Sequence, residues 1–169
     1  MSDDSPLDEL NGAEPERAER ELLACCASVR WARELLARRP YPDLPGLRRV
    51  SAAVLEELDW SDVEQALSAH PRIGERPAGS GREAGWSRGE QAGAADAGPE
   101  VREDLAVGNL AYEERFGHAF LICATGLSAE TMLTRLRERL GNDPETERAV
   151  VRTELGKIVD LRLGKAFAP

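Results

Sequence analysis

The sequence predicts an all-α protein, a single-domain helical bundle, and three observations carry that reading. Apolar residues recur every three or four positions along most of the chain, and Ala, Arg, Glu and Leu dominate those stretches. No segment alternates apolar and polar residues as a half-buried strand would, and no internal repeat is visible. A chain of 169 residues, 41% of them hydrophobic, can bury one good core. The expected domain is 1–169, with 1–6 and 165–169 as flexible ends.

The elements follow in chain order. From about Glu14 to Leu36 the residues Leu22, Leu23, Cys26, Val29, Trp31, Leu35 and Leu36 fall at helical spacing, and "RRPYPDLPG" stops the pattern, because proline fixes φ and lacks a donor. Leu47 to Leu58 reads as a second amphipathic helix. "SDVE" at 61–64 is a capping box that opens a short helix through Ala69, and Pro71 closes it by disfavouring helical geometry at His70. Residues 71–85, rich in Gly, Pro and charge, form a connection longer than usual, of the kind that carries function.

"SRGE" at 87–90 is a second capping-box pattern and reopens helix. Pro99 to Phe116 is a long helix stopped by Gly117. "AFLICATG" at 119–126 is a short apolar run that periodicity alone leaves open between strand and link; helical runs on both sides favour a buried extended link. Ser128 to Leu140 and Pro144 to about Lys165 complete the set.

Charge and composition exclude several classes of function. A net charge of -9 and an isoelectric point near 4.9, with no dense run of Lys or Arg, argue against nucleic-acid binding. No segment approaches the roughly 18 consecutive apolar residues of a membrane span. The first ten residues, "MSDDSPLDEL", have no basic and apolar signal-peptide regions, and the last five, "KAFAP", no Ser-Lys-Leu ending. A cytoplasmic protein is therefore expected. Cys25, Cys26 and Cys123 lack the C-x-x-C spacing of a zinc or redox site, so reduced structural thiols are expected and no metal site.

Six residues carry candidate chemistry, each with a plainer alternative. His70 stands at the C-terminal end of a predicted helix, whose negative pole favours the imidazolium, so it suits proton transfer. It would equally serve as a simple cap before the proline. His118 follows Gly117 at another helix end, where a capping role is favoured. Ser87, Glu90 and Gln91 share one helix face, a hydroxyl, a carboxylate and an amide together, although Ser-x-x-Glu also satisfies a capping box. Arg162 continues the apolar stripe of Val151, Leu155 and Ile158, so it points inward and needs an anion, from an internal carboxylate or from a substrate. Trp31, Trp60 and Trp86 read as core and loop anchors rather than ligand platforms.

Four blocks occur in a fixed order: "HPRIGE", "W-S-x-x-EQAG", "N-x-AYEERFGHAFLICATG-x-S" and "E-x-x-KI-x-x-x-RL". Together they resemble the 2-oxo-4-hydroxy-4-carboxy-5-ureidoimidazoline (OHCU) decarboxylases, which complete the ureide pathway from urate to allantoin. The resemblance spans about residue 7 to residue 163. It implies a small-molecule ureide substrate, no cofactor, an all-α fold and a homodimer. By resemblance His70 is the catalytic histidine and Pro71 the proline beside the ligand; Glu90 belongs to the polar helix face that holds the ureide, and its expected catalytic task is to orient the histidine or the ring, or to relay a proton. Ser87 and Gln91 match the polar face that holds the ureide, Arg162 the arginine that reaches it, and the run containing Phe120, Ile122, Cys123 and Ala124 the link whose backbone contacts the heterocycle. Two departures stand out. Gly108-Asn109-Leu110 replaces a frequent Leu-Asn-Ala, and His118 replaces an aromatic or apolar residue. The expected reaction is cofactor-independent decarboxylation to (S)-allantoin; the competing expectations are a catalytically silent helical interaction module and a ureide hydrolase, the latter lacking any metal cluster or nucleophile triad.

Overall fold

The computed structural model of the chain describes residues 4–75, 79 and 81–169. Among these residues ten helices and no strand are found, so the all-α class holds although α1 and α7 had no counterpart in the periodicity. The helices are α1 (Pro6–Gly12), α2 (Pro15–Cys25), α3 (Val29–Ala37), α4 (Leu44–Glu57), α5 (Trp60–Leu67), α6 (Arg82–Glu90), α7 (Ala92–Ala95), α8 (Pro99–Phe116), α9 (Ala129–Leu140) and α10 (Pro144–Phe167). None is long and apolar enough to cross a membrane.

Several boundaries differ from the sequence expectation, and each has a local cause. The helix expected over Glu14–Leu36 is two helices, because Cys26 is extended and Ser28 caps α3 by accepting the Trp31 N–H at 3.2 Å. Ser5 and Asp8 form a capping box that opens α1, so helix begins inside the segment expected to be loose; residues 1–3 lie outside those described. At the other end α10 runs to Phe167, which is buried, so the expected flexible tail at 165–169 is largely helical. The box expected at "SDVE" is displaced. Helix α5 starts at Trp60, Asp59 accepts the first helical N–H groups, and Asp62 takes the Asp59 N–H at 3.2 Å, leaving Ser61 inside the first turn. Helix α6 starts at Arg82, five residues before Ser87, so the loop after Pro71 is shorter than expected. Helix α8 matches the expectation at both ends, with Pro99 in its first turn and Gly117 left-handed (φ 80) at its end.

Contacts divide the chain into two compact units, Met1–Ala66 with Gly156–Pro169, and Leu67–Leu155. In the first, α1 packs on α2, α2 on α3 and α3 on α4. Trp31 is fully buried and its indole N–H donates to Ser51 Oγ at 3.1 Å, joining α3 to α4. Asn11 exchanges two hydrogen bonds with the Tyr41 backbone, and Arg39 Nη1 donates to the carbonyls of Leu10 and Ala13 at 2.8 Å, which closes the C-terminal end of α1. Arg162 is buried here, as its place on the apolar stripe predicts, and donates from Nη1 to the Ala24 carbonyl at 3.4 Å in the last turn of α2. In the second unit α8 packs on α9 around Leu105, Tyr112, Met132, Leu133 and Leu136, with Ile73, Phe120, Ile122 and Ala124 in the same cluster.

Burial in the first unit pushes the Cys26 thiol up to about 12 from 9.0, against the smaller lowering effects of the Ser28 backbone and Arg162. A raised thiol pKa keeps the folded state protonated where the unfolded chain ionises, so the associated stability is present below about pH 9 and lost toward about pH 12. Burial likewise raises the Tyr41 phenol, to about 12. The urea midpoint is therefore expected to fall through this alkaline window, and Cys26→Ala to flatten the fall; a midpoint independent of pH there would contradict the burial of both groups.

Candidate active site

Helix α5 ends at Leu67, and a single turn, with the His70 N–H donating to the Leu67 carbonyl at 3.0 Å, presents His70 just past that terminus. Pro71 follows and keeps the chain out of helix. Ser87 and Glu90 are both buried in the last turn of α6, three residues apart on one face. Their position excludes the capping-box role, since α6 is capped at Gly81 and begins at Arg82. Gln91 is the C-terminal cap of α6, its N–H bonded to the Ser87 carbonyl at 3.1 Å.

His70, Pro71 and Ser87 line one cleft of about 390 Å³, bordered also by Ser68 and Glu83. His70 borders a second, about 450 Å³, with Arg72, Glu75, Glu113 and His118. The chain's two histidines thus meet one cleft, although the sequence placed them in unrelated contexts. The end of α8 is closed by the Gly117 N–H on the Glu113 carbonyl at 2.8 Å, while the His118 ring lies edge-on to Tyr112 at 5.4 Å and stacks on Phe116 at 6.3 Å. Among the described residues no group of three or more His, Cys, Asp or Glu is arranged to hold a metal ion.

The Gln91 side chain is engaged at both ends. Its Oε1 accepts the Gly74 N–H at 3.0 Å and its Nε2 donates to the Pro71 carbonyl at 3.4 Å, so the amide clasps the loop that carries His70. Arg72 and Ile73, between those two points, are held by Glu113 and Asn109 of α8.

The link 119–124 is neither helix nor strand and is largely buried, as expected of a buried link. Phe120, Ile122 and Ala124 point into the hydrophobic cluster beside Ile73, and Cys123 is half-buried on the other face. Four of the backbone groups are already engaged, the Ala119 carbonyl by His118 Nδ1 at 3.1 Å. The Leu121 carbonyl accepts from Arg139 Nη1 at 2.6 Å, the Cys123 N–H donates to Glu154 Oε1 at 3.3 Å, and the Ala124 carbonyl accepts the Leu127 N–H at 2.9 Å.

Behind the link stands a buried polar network that the sequence reading missed. Glu147 has no exposed surface and accepts from the Tyr112 hydroxyl at 2.6 Å, Arg139 Nε at 2.7 Å and Asn142 Nδ2 at 2.9 Å. The Arg139 guanidinium also lies 4.5 Å from the Phe120 ring centroid. Burial first, then Glu147, raises the Tyr112 phenol well above its ordinary range. In sequence Glu147 is an ordinary acidic residue in the first turn of a helix, which the helix dipole alone would explain.

The profile of the OHCU decarboxylase family matches residues 11–164. The chain belongs to the OHCU decarboxylase family. An OHCU decarboxylase from Amia calva is 36% identical over 129 residues, covering 74% of this chain and 73% of that protein. A uric acid degradation bifunctional protein from Arabidopsis thaliana is 32% identical over 156 residues, 90% of this chain; the chain spans 48% of that longer protein. The crystal structure of an OHCU decarboxylase determined in the presence of (S)-allantoin superposes with a TM-score of 0.77 at 26% identity, covering 93% of this chain and all of that one. The family match runs through both compact units, from α1 to the last turns of α10.

Glu147→Gln keeps the shape of the network and leaves Arg139 buried without its counter-charge, so folding stability is expected to drop by about 3–5 kcal/mol in urea denaturation. Glu138→Gln, which breaks the exposed pair with Arg135, should cost well under about 1 kcal/mol. Equal effects for the two variants would remove the buried charge from the account of this unit.

Proposed function

We propose how this family member decarboxylates OHCU in urate degradation: His70 acts as the acid/base, and one allantoin enantiomer, S, is formed. The observation that carries the reading is the cleft lined by His70, Pro71 and Ser87, one turn from buried Glu90, in a chain whose family is known. The capping-box explanation of Ser87 and Glu90, which supported a silent interaction module, fails on their position at the end of α6.

The substrate's name fixes much of the chemistry. A carboxylate and a hydroxyl share one ring carbon, and the adjacent ring carbon bears the ureido group on a C=N bond. When the carbon–carboxylate bond breaks, its electron pair forms a carbon–carbon double bond, and the C=N π pair takes a proton on nitrogen. The resulting enol loses its hydroxyl proton as the ureido-bearing carbon gains one, which gives allantoin and CO2. The C=N bond is the electron sink, so the reaction needs no external one. The protein's tasks are to hold the carboxylate out of the ring plane, to stabilise the enol and to deliver a proton to one face.

His70 engages the hydroxyl and carboxylate region, and Glu90 orients the histidine or relays its proton. Ser87 supplies a hydrogen bond to the ureide from the face of the same cleft. Gln91 is assigned to the ureide by the family motif; its amide must release or share its loop partners to reach a ligand. The backbone of the Phe120, Ile122, Cys123 and Ala124 run is assigned to the heterocycle on the same ground, through the groups not already engaged. Arg162 is assigned by the motif to the ureide's polar oxygens, a role suited to its planar fork. The resemblance further supports a homodimer acting in the cytoplasm, with the whole chain as one OHCU decarboxylase domain.

Handedness tests the function without reference to any single residue. Uncatalysed decay leaves both faces of the enol open, whereas a face preference of only about 2.7 kcal/mol gives roughly 100:1 selectivity. Catalytic amounts of the protein, with chelator present, are expected to convert freshly generated substrate into (S)-allantoin, read by circular dichroism. Racemic product at the uncatalysed rate would overturn the reading. His70→Asn should fold and lose about 100-fold or more in turnover. Glu90→Gln should leave the urea midpoint nearly unmoved while turnover falls by a similar order; wild-type turnover would remove the carboxylate from the mechanism.

A further inference from the structure

The motif N-x-AYEE places Asn109 and Glu113 four residues apart on α8, and neither has a part in the reaction set out above. Positions i and i+4 share one helix face. Both reach the loop that follows His70. Asn109, 5% exposed, donates from Nδ2 to the Ile73 carbonyl at 2.9 Å. Glu113 takes the Arg72 guanidinium on both carboxylate oxygens, Nε on Oε1 at 2.5 Å and Nη2 on Oε2 at 2.9 Å. With Gln91 on Pro71 and Gly74, each of the four residues after His70 is fixed by a side chain from another element, and the Ile73 side chain is itself buried in the hydrophobic cluster.

The effect falls on His70. Its N–H is tied to the Leu67 carbonyl on one side, and on the other it is bonded to Pro71, whose φ is fixed by its ring. The imidazole therefore goes where the loop goes. A two-bond arginine–carboxylate pair fixes geometry in a way that a single contact does not. An exposed pair of this kind adds little to stability, yet catalytic groups must be held to within about 0.5 Å of their working positions. Those magnitudes separate placement from folding: the Arg72–Glu113 pair can be lost without unfolding the chain, and its loss lets the loop drift.

We propose that Asn109 and Glu113 are positioning residues for the decarboxylation, holding the Pro71–Gly74 backbone and, through it, His70 against the face of α6 that carries Ser87. The proposal rests on His70 as the acid/base. Glu113→Ala should lower kcat about 10-fold or more, with KM changed less than about 2-fold and an unchanged urea midpoint. Arg72→Ala should reproduce that loss, and the double variant should lose no more than either alone. In a His70→Asn background Glu113→Ala should have no further effect, because residues that act as a unit are not additive. Asn109→Ala should show the same kcat loss with a lowered midpoint, as the Ile73 carbonyl is left unpaired.

Wild-type kcat in Glu113→Ala beside a large loss in His70→Asn would overturn the positioning role alone. A full further loss from Glu113→Ala in the His70→Asn background would do the same, since the residue would then act by another route. Near wild-type turnover in His70→Asn would overturn the acid/base reading itself, and with it the route through the loop.

Discussion

A carboxylate with no contact with water, Glu147, sets the terms on which the second unit is built. An ionised group in a protein interior is tolerated only when charge and hydrogen bonds surround it. Glu147 of α10 meets that demand with Tyr112 of α8, Arg139 of α9 and Asn142 of the turn between α9 and α10. Arg139 then carries the constraint onward, since its remaining donors are directed in part to the Leu121 carbonyl and its flat face to Phe120. The link is thus fixed where no strand partner exists to satisfy its backbone. An apolar replacement of the whole network could be as stable, but would not specify where the link lies.

Two adjacent residues of α8 divide the work between stability and placement. Tyr112 turns inward to Glu147, while Glu113, about 100° further round the helix, turns outward to Arg72. The inward contact is shielded from solvent, and the outward one is half-open to it. Helix α8 therefore joins the hydrophobic interior to the loop that bears His70, with the buried Asn109 one turn earlier as a second point of attachment.

Where the signals are local, the sequence was legible. Pro99 and Gly117 mark both ends of α8 by their own backbone preferences, and Ser128 marks the start of α9. Where two signals compete, it was not. The apolar spacing of α2 and α3 runs unbroken through Cys26, so only the cap at Ser28 marks the break. Ser-x-x-Glu at 87–90 has the pattern of a helix start but sits at a helix end, because "REAGW" at 82–86 is helical despite Gly85 and the lack of a side-chain cap. At the site, the motif residues His70, Pro71 and Ser87 reach one cleft, and Arg162 is buried as its place on the stripe required. The partners of Gln91 and Asn109 are loop backbone groups far away in sequence, and a carbonyl has no residue type to read.

At Gly108 of α8 the structure places Leu136 of α9 where a side chain on residue 108 would stand. The volume missing from α8 is supplied by α9, with Leu136 fully buried in the gap. A glycine within a helix costs about 1 kcal/mol relative to alanine, which the close approach offsets. A side chain at 108 would have to displace the end of the Leu136 side chain from the gap that it fills. Because Asn109 is the next residue, an uncompensated change there would shift the turn of α8 that holds the Ile73 carbonyl. The packing of α8 on α9 thereby bears on the placement of a histidine that neither helix carries.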